Sequence, residues 1–241
     1  MKRKKPNYKL RRNIAKLIIA LLILLPILLI NKTKMKYIIA IAVLLFSVIV
    51  HEVAHGLVAY MRGDTTAKDL GRLTLNPINH IDIIGSIILP LCLMLVGGPV
   101  FGWAKPVPIN LLRLKNIRRD MVYVSLAGVT ANFILAVIAG ILMSAIRNFA
   151  PEMSVFASVY IILQYVVIIN VVLLIFNLIP IPPLDGSKVV LFLMPRELAQ
   201  KYAAIERYGF FIILILLATN ILWKIIGPIA NSLINFLIGT I

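Results

Sequence analysis

Residues 37–61 read YIIAIAVLLFSVIVHEVAHGLVAYM, twenty-five residues in which Glu52 is the one charged side chain. At about 1.5 Å per residue, such a run forms a helix long enough to cross a hydrocarbon core of ~30 Å. An acid at mid-span costs about 2.5–3.5 kcal/mol on insertion scales, so Glu52 calls for a reason. Its neighbours supply one, because His51-Glu52-Val53-Ala54-His55 is the H-E-x-x-H pattern with helix on both sides. Four residues turn a helix by about 400°, which puts His51 and His55 on one face, one turn apart, where two neutral imidazoles can share a metal ion. Glu52 lies beside that ion without binding it, where a carboxylate can accept a proton from water.

The rest of the chain agrees with a membrane setting. Of 241 residues, 61% are hydrophobic and 14% charged, against roughly 25% charged in an ordinary soluble domain. Soluble globular, disordered and coiled-coil classes are excluded. The net charge of +16 points to anionic lipid rather than nucleic acid once the surface is apolar. Lys2, Arg3, Lys4, Lys5, Lys9, Arg11, Arg12 and Lys16 crowd the first sixteen residues without an acid among them, a flank that stays cytoplasmic. The lone Cys92 forms no internal disulfide.

Six apolar segments follow from the spacing of charges, at 14–30, 37–61, 83–100, 121–146, 155–179 and 208–238. The fold class expected is an all-α polytopic membrane protein of five to six apolar segments, with residues 1–13 a basic cytoplasmic tail and 14–241 one intramembrane domain. Segment 14–30 reads as retained, because Asn31-Lys32-Thr33-Lys34 follows it rather than a small-residue cleavage site. Cations at 105, 113, 115, 118 and 119 place 101–120 on the same side as 62–82, so 83–100, short and rich in Gly and Pro, re-enters rather than crosses. A plain spanning helix is the competing reading. Segment 208–238 is too long for one upright span, and Gly227-Pro228 is the expected break or kink; one crossing and two both remain open.

A catalytic zinc takes three protein ligands and keeps a fourth position for water. Among the nine acids only Asp185 ends a long apolar stretch, in Asn177-Leu178-Ile179-Pro180-Ile181-Pro182-Pro183-Leu184-Asp185-Gly186. There prolines unwind the helix and Gly186 permits close backbone approach, so that Asp185 can turn back to the metal. A helix N-cap for Ser187–Leu193 is the alternative. His80 sits in a polar loop, and two histidines with one carboxylate leave it no role as ligand.

The H-E-x-x-H at His51–His55 with the Asn177…Leu184-Asp185-Gly186 motif resembles the site-2 protease family of intramembrane zinc metalloproteases. Gly71-Arg72-Leu73-Thr74-Leu75-Asn76-Pro77 and Phe101-Gly102-Trp103-Ala104-Lys105-Pro106-Val107-Pro108 resemble its compact bacterial branch, which lacks a large soluble insertion. The resemblance implies one zinc held by His51, His55 and Asp185, Glu52 as general base, and peptide bonds of transmembrane proteins as substrate. Ala127-Gly128-Val129-Thr130-Ala131-Asn132 is similar to the family's central-helix motif, in which an asparagine faces the site, although the family usually has proline where this chain has Val129. Asn132 is the candidate for steadying the oxyanion or for bonding backbone or substrate, while Ala127, Gly128 and Ala131 suit close helix packing.

The expected activity is therefore zinc-dependent endopeptidase action within or near the bilayer of a bacterial cell, on a transmembrane protein substrate. A regulatory membrane protein of unknown identity is a further possible partner, and nucleic acid is not expected. The rival is a zinc transporter or metal-binding scaffold with the same ligands. A helical substrate hides its peptide bonds, so short extended segments near the site are expected, with Phe101–Ile109 a candidate strand edge or an ordinary loop.

Overall fold

The computed structural model describes residues 32–88, 92, 105–149 and 154–239. The tail 1–13 and the apolar segment 14–30 lie outside the described residues, as does most of 89–104. Two compact units divide the chain, 1–41 and 42–241; Lys32–Ile41 of the first begins helix α1, and the second carries everything that follows. Eight α-helices are described: α1 (Lys32–Met61), α2 (Thr66–Asp69), α3 (Ile117–Phe149), α4 (Ser154–Asn177), α5 (Asp185–Leu193), α6 (Arg196–Ala203), α7 (Glu206–Ala218) and α8 (Ile221–Ile238). Four stretches, Met35–Met61, Ile117–Phe149, Ala157–Asn177 and Ile221–Ile238, are long and apolar enough to cross a membrane. The protein is an all-α polytopic membrane protein.

Small residues let the helices close on one another. Ala136, Ala139 and Met143 of α3 pack with Val167 and Val171 of α4 and with Ala230 and Ile238 of α8 in one buried cluster, as expected where dispersion rather than hydrophobicity draws helices together. Asn170 of α4 donates to Ser47 of α1 at 2.8 Å. Such bonds average about 0.6 kcal/mol in a membrane, so this one sets register more than it stabilises.

Residues 62–116 leave α1 and come back to the same place. The Lys115 N–H donates to the Arg62 carbonyl at 3.3 Å. Buried Asp64 accepts from the Asn110 N–H at 2.6 Å and from the Thr66 N–H and hydroxyl at 3.0 and 2.5 Å. Arg113 pairs with Asp69 at 3.2 Å. Helix α3 starts beside this lacing through a reciprocal cap: Asn116 accepts from the Arg119 N–H at 3.1 Å, while Asp120 accepts from the Asn116 N–H at 2.8 Å. Both ends of the excursion therefore meet at one place; of segment 83–100, Ile83–Ile88 forms a single π-helical stretch and most of the remainder lies outside the described residues.

One expectation needs correction. Segment 208–238 breaks not at Gly227-Pro228 but at Thr219-Asn220, and Pro228 lies inside an unbroken α8. The Thr219 hydroxyl folds back to the Ile215 carbonyl at 2.7 Å, and Asn220 takes a left-handed φ of 59°, a conformation asparagine adopts more readily than most residues. Pro228 is tolerated because transmembrane helices absorb one missing N–H locally. Of the two pieces α8 is a candidate span, whereas α7, at 13 residues, is about 20 Å long and falls short. There is no strand among the described residues, and the described part of Phe101–Ile109 follows the ordinary-loop reading. Residues 105–110 run without helix or ladder, and 101–104, including Trp103, lie outside the described residues.

Candidate metal centre

Helix α1 delivers His51 and His55 one turn apart, and the chain after α4 brings the third group. Following Asn177, a run of short turns through Pro180, Pro182 and Pro183 carries the backbone round to α5, whose first residue is Asp185. A Cβ on Gly186 would collide with the Leu178 carbonyl, so the tight return needs glycine there. The N-cap of α5 is Leu184, with no side-chain capping bond. The Asp185 carboxylate is thus free of the capping role and divides its oxygens: Oδ1 accepts from the Lys188 ammonium at 3.0 Å, and Oδ2 faces the histidines.

The three side chains converge on one point. Asp185 Oδ2 lies 3.0 Å from Nε2 of His51 and 3.0 Å from Nε2 of His55, and the two Nε2 atoms are 2.9 Å apart. All three residues are buried, with the imidazoles edge to face at 86°. His55 Nδ1 is 2.6 Å from the Val124 carbonyl of α3. A carbonyl only accepts, so Nδ1 carries the hydrogen and Nε2 presents a lone pair. A lone pair and a carboxylate oxygen aimed at the same buried point repel each other unless a cation lies between them. The donor set therefore fits zinc, whose tetrahedral ligands sit roughly 3.3 Å apart at bond lengths of ~2.0–2.1 Å. His51, His55 and Asp185 form the one such metal-capable group among the described residues.

Space for the ion is kept by α3. A Cβ built on Gly128 would stand 2.5 Å from His51 Cε1 and 2.6 Å from both Nε2 atoms, in the volume an ion and its water need. The sequence suggests helix packing for this glycine; its face toward the imidazoles appears only when α1 and α3 are side by side. Asn132, one turn further on, is fully buried and places its amide 3.2 Å from His51 Nδ1. Helix α3 is continuous through Val129, so the asparagine reaches the site without the family's proline.

Glu52 sits at the edge of this group, half-buried, with Oε2 accepting from the Val107 N–H at 2.8 Å. The segment around Val107 commits its other donors inward as well, Lys105 N–H to the His80 carbonyl at 2.8 Å and Asn110 N–H to Asp64. His80 is buried away from the metal group, with Nε2 2.8 Å from the Thr74 carbonyl: it braces the loop and is no ligand.

Two buried histidines on an apolar helix, a carboxylate brought to them from α5 and a glutamate beside them define a zinc-binding membrane protein built for hydrolysis. Comparison with known proteins makes the class specific. The model of Peptidase family M50 matches residues 142–217. A Bacillus subtilis protein named "Putative zinc metalloprotease YwhC" is 40% identical over 197 residues, 78% of this chain and 84% of that protein. A Mycolicibacterium smegmatis protein of the same description, Rip2, is 34% identical over 185 residues, 76% of this chain and 68% of its own length. No solved structure matches. The chain belongs to peptidase family M50, the site-2 protease family, and is a zinc metalloprotease rather than a transporter using the same ligands.

Proposed function

We propose that this metalloprotease is an intramembrane endopeptidase that cuts transmembrane protein substrates within or near the bilayer of a bacterial cell, with its N-terminus in the cytoplasm. His51, His55 and Asp185 hold the zinc, and Glu52 is the general base. The observation that carries the reading is the set of three ligand atoms within 3.0 Å of one another, two of them on a helix apolar enough to span the membrane. Bound zinc supplies Lewis-acid activation of water and of the scissile carbonyl. Glu52, held by the Val107 amide, takes the proton of the attacking water and passes it to the leaving amine. The Lys188 ammonium, 3.0 Å from Asp185 Oδ1, favours the ionised carboxylate that a ligand must be.

The test is Glu52→Gln in purified protein reconstituted with a single-span peptide. Metal content should stay near one zinc per chain while cleavage falls by about 10²–10⁴-fold, the usual cost of losing a positioned base. An unchanged rate overturns the role of Glu52. A wild type that cuts soluble peptides but leaves the membrane-embedded one intact overturns the intramembrane reading.

A further inference from the structure

Val124, Gly128 and Asn132 stand four residues apart on α3 and therefore share one face of that helix. Each addresses a different part of the imidazole pair: the Val124 carbonyl takes the His55 Nδ1 hydrogen, Gly128 faces both Nε2 atoms, and Asn132 lies at His51 Nδ1. Because α3 runs antiparallel to α1 here, the two Nδ1 atoms point to opposite ends of the same stripe. For His55 the outcome is fixed by a group that can only accept. For His51 it depends on which end of the Asn132 amide turns toward the ring.

With Nδ2 toward His51, at 3.2 Å, Nδ1 must accept and the ring hydrogen sits on Nε2, where it can donate to Asp185 Oδ2 at 3.0 Å. That arrangement suits a site without a cation. It also leaves Asn132 Oδ1 buried with no hydrogen-bond partner, a state that costs about 1–3 kcal/mol in general. A metal-ligating Nε2 needs the opposite arrangement, with the hydrogen on Nδ1 and an acceptor to receive it. A half-turn of the amide brings Oδ1 to that position.

We propose that Asn132 is the positioning residue for His51: its carboxamide oxygen accepts the Nδ1 hydrogen and so commits Nε2 to the metal. This goes beyond an oxyanion role and rests on the reading of His51, His55 and Asp185 as ligands. An amide suits the position because it can donate to the bare ring and accept from the metal-bound one, which neither a hydroxyl-free aliphatic side chain nor a carboxylate can do.

Zinc affinity, measured by competition with a chromophoric chelator in detergent, tests the proposal. Asn132→Leu, close in size but without an acceptor, should weaken zinc binding by about 10–100-fold, the usual cost of losing an outer partner of a ligating histidine. Asn132→Asp, which keeps an acceptor, should bind within a few-fold of wild type. Wild-type affinity in Asn132→Leu overturns the proposal, and if turnover alone falls in that variant, Asn132 acts on the reacting carbonyl instead. Equal losses in both variants likewise remove the acceptor role. If Asn132→Leu does not fold, NMR of zinc-loaded wild type, with three histidines in the chain, still decides: His51 Hδ1 should lie against the Asn132 carboxamide, and its absence there overturns the proposal. His51→Ala and His55→Ala serve as controls. Zinc retained in them would sink the ligand assignment itself, independently of Asn132.

Discussion

The Val107 N–H donates to Glu52 Oε2 at 2.8 Å, and in Pro106-Val107-Pro108 it is the one N–H that the tripeptide possesses. The flanking prolines fix the local backbone and remove competing donors, so this stretch presents a single hydrogen-bond donor, and that donor meets the base. A hydrogen bond to a charged group contributes about 1.5–3 kcal/mol. Val107→Pro should therefore slow peptide cleavage by about 10–100-fold with zinc content unchanged, while Val107→Ala, which keeps the N–H, should stay within a few-fold of wild type. Parallel rate measurements on the two variants check this. Equal losses would assign the effect to the side chain, which is buried, rather than to the amide.

Gly128→Ala separates stability from function. Alanine is the better helix former by ~1 kcal/mol, so α3 should not unravel. The added methyl would nevertheless stand 2.5–2.6 Å from the two imidazoles, and these rings are held by Val124 and Asn132 and cannot retreat freely. Metal analysis of the purified variant should find little zinc, and circular dichroism should find the helix content unchanged. Wild-type zinc content would mean that the rings move aside.

Much of this site is legible in the sequence because its chemistry is expensive in a membrane. Glu52 in an apolar run and Asp185 at the end of another stand out against their surroundings, and the H-E-x-x-H spacing states its own geometry. The return of residues 62–116 was legible as well, through the cations at both ends of the excursion. What could not be read were contributions made by backbone or by the absence of a side chain. Val107 and Val124 act through an N–H and a carbonyl that every residue of their kind possesses, and Gly128 acts by being empty. The break at Asn220 escaped for a similar reason: a left-handed turn leaves no pattern in hydrophobicity, whereas Pro228 draws the eye and lies in an intact helix.

Asp64 ties residues 62–66 to Asn110 and should make that tie sensitive to acid. Burial would raise its carboxyl, but the Thr66 hydroxyl, the Asn110 and Thr66 amides and the charge of Arg113 hold it below the usual carboxylate range. A folded-state pKa below the unfolded value of about 3.9 contributes stability above that pH, and the contribution is lost as pH falls through the lower folded value. Asp64→Asn should accordingly melt earlier than wild type at neutral pH, with the gap closing below about pH 3.9. Thermal melts in detergent across pH would show it, and a gap that widened in acid would contradict the assignment.

The side on which the excursion lies follows from the charges gathered with it. Arg62, Lys68, Arg72, Lys105, Arg113 and Lys115 belong to the stretch that leaves α1 and returns to α3, and Arg118 and Arg119 lie in the first turn of α3. The other end of α3 carries Arg147, which caps α8 through the Ile238 and Gly239 carbonyls at 3.1 and 3.2 Å. Short loops rich in Lys and Arg stay cytoplasmic, so this end should face the cytoplasm, and the 33 residues of α3, about 50 Å long, should reach the far side. With Cys92 replaced by serine, a single cysteine at Lys115 should react with an impermeant maleimide only in inside-out vesicles, and one at Asn148 only in intact cells. Labelling of both from one side would mean that α3 does not cross. Labelling of Lys115 from outside would invert the protein in the membrane and with it the side from which the zinc site is reached.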